Sequence, residues 1–312
     1  MSNIQVGNAP CSWGTLEFEG FQGERIGYQQ MLNELTETGY TGTELGDWGF
    51  MPTEPDVLRL ELSRRGLTML GAFIPVSFRH SEAHRDGELR ALQVARLLCA
   101  VSAGDPSAPR PFLVLADENG ADSVRAQSAG RITSDLGLSR SEWDVFTRGV
   151  TEVSRTVRAE TGLPAVFHHH CGGYVETPDE ISRLLELTDP DLVGLVFDTG
   201  HYAYGSGQND AQAVIDGLER FAERIRYVHL KDCQPAVAAS ARTAGLSYLE
   251  AVRSGVFCEL GNGLVPFPDV VSWLRRHDYR GWALVEQDVL PGMGTPKESA
   301  RRNRDYLRSI GL

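Results

Sequence analysis

Apolar and polar positions along this chain fall into two alternating kinds of block. Short runs rich in β-branched and aromatic residues stop abruptly, and longer stretches follow in which apolar positions recur every three or four residues. The first run is IQVGNAP (4–10), with a helix expected over about 24–38 that stops near Gly39. TGTELG (41–46) and LTMLGAFIP (67–75) are the second and third, each followed by a helical pattern, at about 54–65 and 81–103. PFLVLAD (111–117) is the fourth, and a weakly hydrophobic loop, 118–137, separates it from a helix at 141–161. Four more runs follow: PAVFHHH (164–170), VGLVFDTGH (193–201), YVHLKD (227–232) and WALVEQD (282–288). Thr177-Pro178 predicts a helix start, with threonine as cap and proline in the first turn. Stretches 265–279 and 296–309 carry the last two helices.

Eight strand–helix repeats with near-continuous apolar strands predict an α/β fold, a closed (β/α)8 TIM barrel formed by residues 1–312 as a single domain. The rival, an open doubly wound sheet, would carry a glycine-rich phosphate loop after its first strand, and NAPCSWG (8–14) is no such loop. Segments 104–110, 118–137 and 233–262 read as loop insertions. The last leaves the seventh strand on the catalytic side of a barrel, so it is either a lid or a surface insertion.

In a parallel barrel the strand carboxyl ends converge on one mouth, where the chemistry sits. Each of the last four runs stops on a potential metal ligand. Alternation along the strands turns His170, Asp198, His229 and Glu286 inward as a metal set, with His168 on the same face as His170 and His169 outside. His201 and Lys231 lie beside them. Mixed imidazole and carboxylate donors suit manganese or cobalt first, with zinc, iron or magnesium as alternatives. Such a cation stabilises an enediolate as a Lewis acid.

Other positions keep two readings open. Glu176, just before the Thr-Pro helix start, is an acid favoured by the helix dipole, a general base, or a replacement for His170 as fourth ligand. Lys231 either protonates a leaving hydroxyl and binds substrate oxygens or forms a plain ion pair. His201 is a proton shuttle or an outer hydrogen-bond partner. Glu44 reaches the substrate or holds a ligand from behind, and His168 is a substrate contact. Trp13 and Phe18 wall a sugar-sized pocket or pack in the core. Asp117, Glu118 and Asn119 are polar contacts or a solvated loop.

A net charge of −12 argues against nucleic acid or an anionic membrane as partner. Five widely spaced cysteines without a CxxC pair read as reduced thiols of a cytoplasmic protein. No signal peptide pattern opens the chain, and no window reaches the roughly 20 apolar residues of a membrane span.

APCSWG, GYTGTELG, FHHHCGGYVET, DTGH, HLKD, GNGLVPF and GWALVEQD together resemble the xylose-isomerase-like TIM-barrel superfamily of sugar isomerases, epimerases and dehydratases, and within it the inosose dehydratase branch. That resemblance implies a metal-dependent lyase dehydrating a polyhydroxylated cyclic ketone such as 2-keto-myo-inositol, or a ketose isomerase or epimerase using the same proton-transfer site. It puts Asp198, His229 and Glu286 on metal-ligand positions. Related epimerases have a glutamate ligand and a catalytic glutamate six residues later, where this chain has His170 and Glu176. The branch also carries an Asn-Asp pair after its tryptophan, whereas Trp13 here is followed by Gly-Thr-Leu. The resemblance is compatible with a homo-oligomer, though no pattern in the chain reports an interface. Two rivals fit less well. A zinc-dependent apurinic endonuclease needs more ligands and a basic face. A barrel that binds a sugar without catalysis would have no use for so many polar strand ends.

Overall fold

Short β-branched runs become strands here because helices cover them on one side and barrel-filling side chains cover them on the other. The computed structural model describes residues 4–14, 26–103, 109–289 and 294–312. Phe18, the first residues of the helix expected from 24, and most of segment 104–110 lie outside the described residues. Eight strands make the barrel: β1 (Ile4–Asn8), β2 (Gly42–Thr43), β3 (Gly71–Val76, with a run-in at Thr68–Met69), β4 (Phe112–Asp117), β5 (Ala165–His168), β6 (Val193–Asp198), β7 (Ile225–Leu230) and β8 (Gly281–Val285). All but β2 form one parallel sheet in the order β1-β8-β7-β6-β5-β4-β3.

The two-residue β2 closes the ring. It pairs in parallel with Thr68–Met69, the Thr41 N–H donates to the Val6 carbonyl at 3.2 Å, and the Leu45 N–H donates to the Gly71 carbonyl at 2.9 Å. Gly42 permits the approach, because a Cβ there would stand 2.8 Å from the Trp282 ring.

The outer helices are α1 (Tyr28–Thr38), α2 (Pro55–Ser63), α3 (Ser81–Ser102), α4 (Arg140–Thr161), α5 (Pro178–Leu187), α6 (Ala211–Phe221), α7 (Phe267–Arg276) and α8 (Pro296–Ser309). The expected threonine cap is present: Thr177 and Glu180 form a capping box at the start of α5. Between sheet and helices runs one large apolar cluster. A second, smaller cluster of Leu70, Val114, Val166, Val196, Tyr227 and Leu284 with its neighbours fills the barrel interior. The loop 118–137 contains a short helix, Ser123–Gln127, and 233–262 contains two, Pro235–Ala244 and Tyr248–Arg253. No helix among the described residues is long and apolar enough to cross a membrane.

Candidate metal centre and active-site cavity

The floor of the barrel mouth follows from the period of two along a strand. Val166, Val196, Tyr227 and Leu284 belong to the interior cluster, so the residues two further on, His168, Asp198, His229 and Glu286, face the same way. One ligand atom from each of these four lies within 4.8 Å of the others. His168 Nε2 is 3.8 Å from Asp198 Oδ2, and His229 Nδ1 is 3.9 Å from that same oxygen and 3.0 Å from Glu286 Oε2.

Asp198 shows what the cluster can hold. Its Oδ1 accepts the His201 N–H at 2.7 Å and so caps the helix Thr199–Gly205. Its Oδ2 is buried with no hydrogen-bond partner. A carboxylate oxygen in that state is costly unless a cation lies close by. Two imidazoles and two carboxylates around it are a first-row transition-metal set. The residues therefore fit a divalent cation.

Behind the cluster, His229 Nε2 stands 3.2 Å from Glu44 Oε1, an arrangement that holds the ring with Nδ1 toward the centre. Burial opposes a charge on His229, but hydrogen bonds to Glu286 and Glu44 outweigh it and raise its pKa to about 10. The acids of this centre thus attract positive charge even onto an imidazole.

His170, expected as the fourth ligand, is not in the cluster. β5 ends at His168, and His170 sits in the turn beyond, its Nδ1 donating to the Cys171 carbonyl at 2.8 Å. Its ring lies 3.9 Å from that of His201, and burial with His168 nearby pushes its pKa down to about 3. His168, expected among the substrate contacts, stands in the fourth corner instead. Glu176 lies off the cavity. Its carboxylate is buried and accepts the N–H groups of Gly130 at 2.6 Å and Gly172 at 2.8 Å, tying two mouth loops together. Burial raises its pKa to about 7, against those two bonds. The chain reaches this place through Val175, which has a positive φ of 68°. Trp13 is likewise no cavity wall: it is buried, and its indole N–H donates to Glu34 on α1 at 2.8 Å. Pro10 and Cys11 face the cavity in its stead.

Lys231 does reach the cavity wall. Its Nζ donates to Glu286 Oε1 at 2.8 Å and lies 3.2 Å from Asp288 Oδ2, above the face of Phe257. Burial opposes its charge, but Asp288 and Glu286 hold its pKa well above the ordinary lysine value. His201 sits just behind, its Nε2 3.5 Å from Lys231 Nζ. Burial, reinforced by His170 and Lys231, keeps His201 neutral.

Several wall residues carry no role in the sequence reading, among them Asp288, Phe73 and Tyr248. Asp288 lay in plain view in the run WALVEQD, two residues past Glu286. Phe73 looked like any apolar strand residue. Nothing local marked Tyr248, which arrives from the insertion after β7. Asp117, expected in a solvated loop or as a polar contact, is buried and accepts the Tyr174 N–H at 2.9 Å.

A parallel barrel with a buried His/Asp/His/Glu cluster that could hold a metal, and a buried lysine, at its strand carboxyl ends defines an enzyme of the TIM-barrel class, with its chemistry at that mouth. Residues 32–310 match the family described as Xylose isomerase-like TIM barrel, and the chain belongs to it. The inosose dehydratase of Salmonella agona (strain SL483) is 32% identical over 308 residues, covering 99% of this chain and 96% of that protein. The inosose dehydratase of Geobacillus kaustophilus (strain HTA426) is 31% identical, over 97% of this chain and 94% of that one. Among solved structures, the 3-keto-D-glucoside 4-epimerase of E. coli superposes with a TM-score of 0.66 at 15% identity, covering 98% of this chain and 99% of its own. The probable 3-DHS dehydratase of Bacillus anthracis gives the same TM-score at 13% identity, with the same coverage. These two likenesses carry the fold.

Proposed function

We propose that the protein is a metal-dependent dehydratase of a cyclic keto-polyol such as 2-keto-myo-inositol. The observation that carries this reading is the unpartnered Asp198 Oδ2 at the centre of a His/Asp/His/Glu quartet, with the Lys231 ammonium on the adjoining wall. The full-length likeness to proteins named inosose dehydratase supports it.

His168, Asp198, His229 and Glu286 hold the cation, manganese or cobalt on this donor set. When bound it polarises the substrate ketone and acidifies the adjoining C–H. Glu44 keeps His229 oriented toward that centre. Among the proton acceptors that line the cavity are His170 and Asp288. One of them takes the α-proton while the electron pair of that C–H bond moves toward the ketone oxygen, and in a second step that pair forms the new double bond as the β C–O bond breaks. Lys231 gives its proton to the departing β-hydroxyl, which leaves as water; with Asp288 as the base, its Oδ2, 3.2 Å from Nζ, passes the abstracted α-proton back to the amine, and neutral His201 holds Nζ from behind. The product enol then settles as a conjugated diketone. The acidic balance of the chain supports a small uncharged partner over nucleic acid, and its cysteine spacing supports a cytoplasmic setting.

The test is incubation of metal-reconstituted protein with 2-keto-myo-inositol, following ultraviolet absorbance of the diketone and α-proton exchange in D₂O by NMR. Growth of both is expected. Exchange without absorbance would replace the dehydratase by an isomerase or epimerase on a related ketose, and silence in both would remove this substrate.

A further inference from the structure

Among the described residues of the cavity wall, all but one come from a barrel strand or the few residues after it. The exception is Tyr248, which opens the short helix Tyr248–Arg253 in the insertion between β7 and α7. Ser247 caps that helix through a capping box with Glu250, which fixes where the tyrosine emerges. Its ring does not stay beside β7. It crosses to the β5 side of the mouth and stands edge-on to His170, with centroids 5.3 Å apart. Gly172, in the turn after β5, gives it room: a Cβ there would lie 3.1 Å from the tyrosine side chain.

The insertion is tied down rather than hinged. Asp232, at its root, accepts four backbone N–H groups, from Cys233 at 2.8 Å, Gly261 and Gly263 at 2.9 Å, and Val265 at 3.0 Å, so one carboxylate fastens both ends. On the far side, Gln127 donates to the Gly245 carbonyl at 2.8 Å and Arg131 to that of Leu246 at 3.0 Å. The tyrosine is therefore held as a wall, and this segment, read from the sequence as either a lid or a surface insertion, has the bonding of a strut. Phe73 adds a second apolar surface next to His170, with ring centroids 6.4 Å apart. Lys231, Glu286 and Asp288 line the same cavity as its polar side.

A cavity wall that combines two aromatic rings with charged groups suits a molecule that is itself two-sided. A six-membered carbocycle with equatorial hydroxyls has that form, because its hydroxyls radiate around the edge and its axial C–H bonds leave apolar faces. An open-chain ketose presents no such face. We propose that Tyr248 is a specificity-determining residue whose ring receives the C–H face of a cyclic polyol and so selects rings over open chains. This rests on the keto-polyol reading of the site.

The test compares metal-loaded wild type with Tyr248→Ala, Tyr248→Phe and Tyr248→Leu. Titration calorimetry measures binding of myo-inositol (the ring without a ketone) and D-sorbitol (an open chain with as many hydroxyls), and kinetics follow 2-keto-myo-inositol. Tyr248→Ala is expected to reduce the ring-to-chain affinity ratio at least about tenfold and to raise KM by a similar factor, with kcat within about threefold. Tyr248→Phe should stay close to wild type. Tyr248→Leu keeps bulk but not flatness; should the alanine variant fail to fold, it must show the same loss. Equal weakening for ring and chain, no weakening, or a fall in kcat at constant KM would overturn the inference. Wild type that binds myo-inositol without dehydrating 2-keto-myo-inositol would sink the proposed reaction and leave the role of Tyr248 standing. Wild type that binds no ring would sink both.

Discussion

Replacing His168 and His170 separately by alanine distinguishes two readings of the HHH run. Asp198 Oδ2 has two imidazole nitrogens near it, His168 Nε2 at 3.8 Å and His229 Nδ1 at 3.9 Å. His168→Ala removes one of them and leaves three ligands. Loss of an outer-shell partner already costs metal affinity about ten- to a hundredfold, so loss of a direct ligand should exceed about a hundredfold, or ~2.7 kcal/mol. His170→Ala removes a bond to the Cys171 carbonyl and the ring contact with His201 but none of the four ligand atoms. It should cost folding stability, about 1 kcal/mol for the hydrogen bond plus the lost packing, and keep stoichiometric metal. Manganese content after dialysis, measured by mass spectrometry, and competition against a chelator read both outcomes. Full metal in His168→Ala, or loss of metal in His170→Ala, would refute the argument from strand register.

Three further outcomes follow from the same geometry. Glu44→Gln loses the carboxylate that orients His229 and should weaken metal binding about ten- to a hundredfold, seen in the same competition assay. Lys231→Met should retain α-proton exchange while dehydration falls at least about a hundredfold, and parallel loss of both would assign Lys231 to proton abstraction instead. Glu176→Gln should leave metal and exchange in place, and its signature is the pH dependence of folding. Burial raises this carboxyl from 4.5 to about 7, so the folded state binds the proton more tightly than the unfolded. That contribution is complete below the unfolded value and is lost as pH rises through about 7. Urea unfolding should show wild type losing ~3 kcal/mol relative to Glu176→Gln between about pH 4.5 and about pH 7, and parallel curves would refute the assignment.

Which parts of this molecule can be read from the chain depends on how local their causes are. Strands β3 to β8 and their helices announce themselves because near-continuous burial of the strands is written into neighbouring residues, and α3 ends within one residue of its expected limit. β2 is different. TGTELG reads as a six-residue strand, yet only Gly42–Thr43 pairs as one. The remainder is set by contacts of Thr41 and Leu45 with residues far along the chain. The extent of a barrel-closing strand is a property of its two neighbours, and no window of sequence contains both.

The same distinction separates the site residues that fell into place from those that did not. Asp198, His229 and Glu286 each follow by two positions an apolar residue of the barrel interior, so the pattern that predicts the strand also places the side chain in the cluster at the mouth. In HHH the period of two admits both His168 and His170, and the choice turns on where β5 leaves the sheet. Pairing to β6 stops at His168 opposite Val196. His170 therefore belongs to a turn that packs it against His201 and Cys171 rather than over the centre. Glu176 fails by a similar route. Its sequence position suits a base poised over the mouth, but the left-handed turn at Val175 carries the carboxylate beneath two backbone N–H groups of neighbouring loops. A side chain whose direction is set by strand alternation can be assigned from its neighbours. One set by a turn needs the turn's partners, which for Glu176 lie 4 and 46 residues away. Proton-transfer assignments that rest on loop residues of this barrel are accordingly the ones most worth testing by substitution.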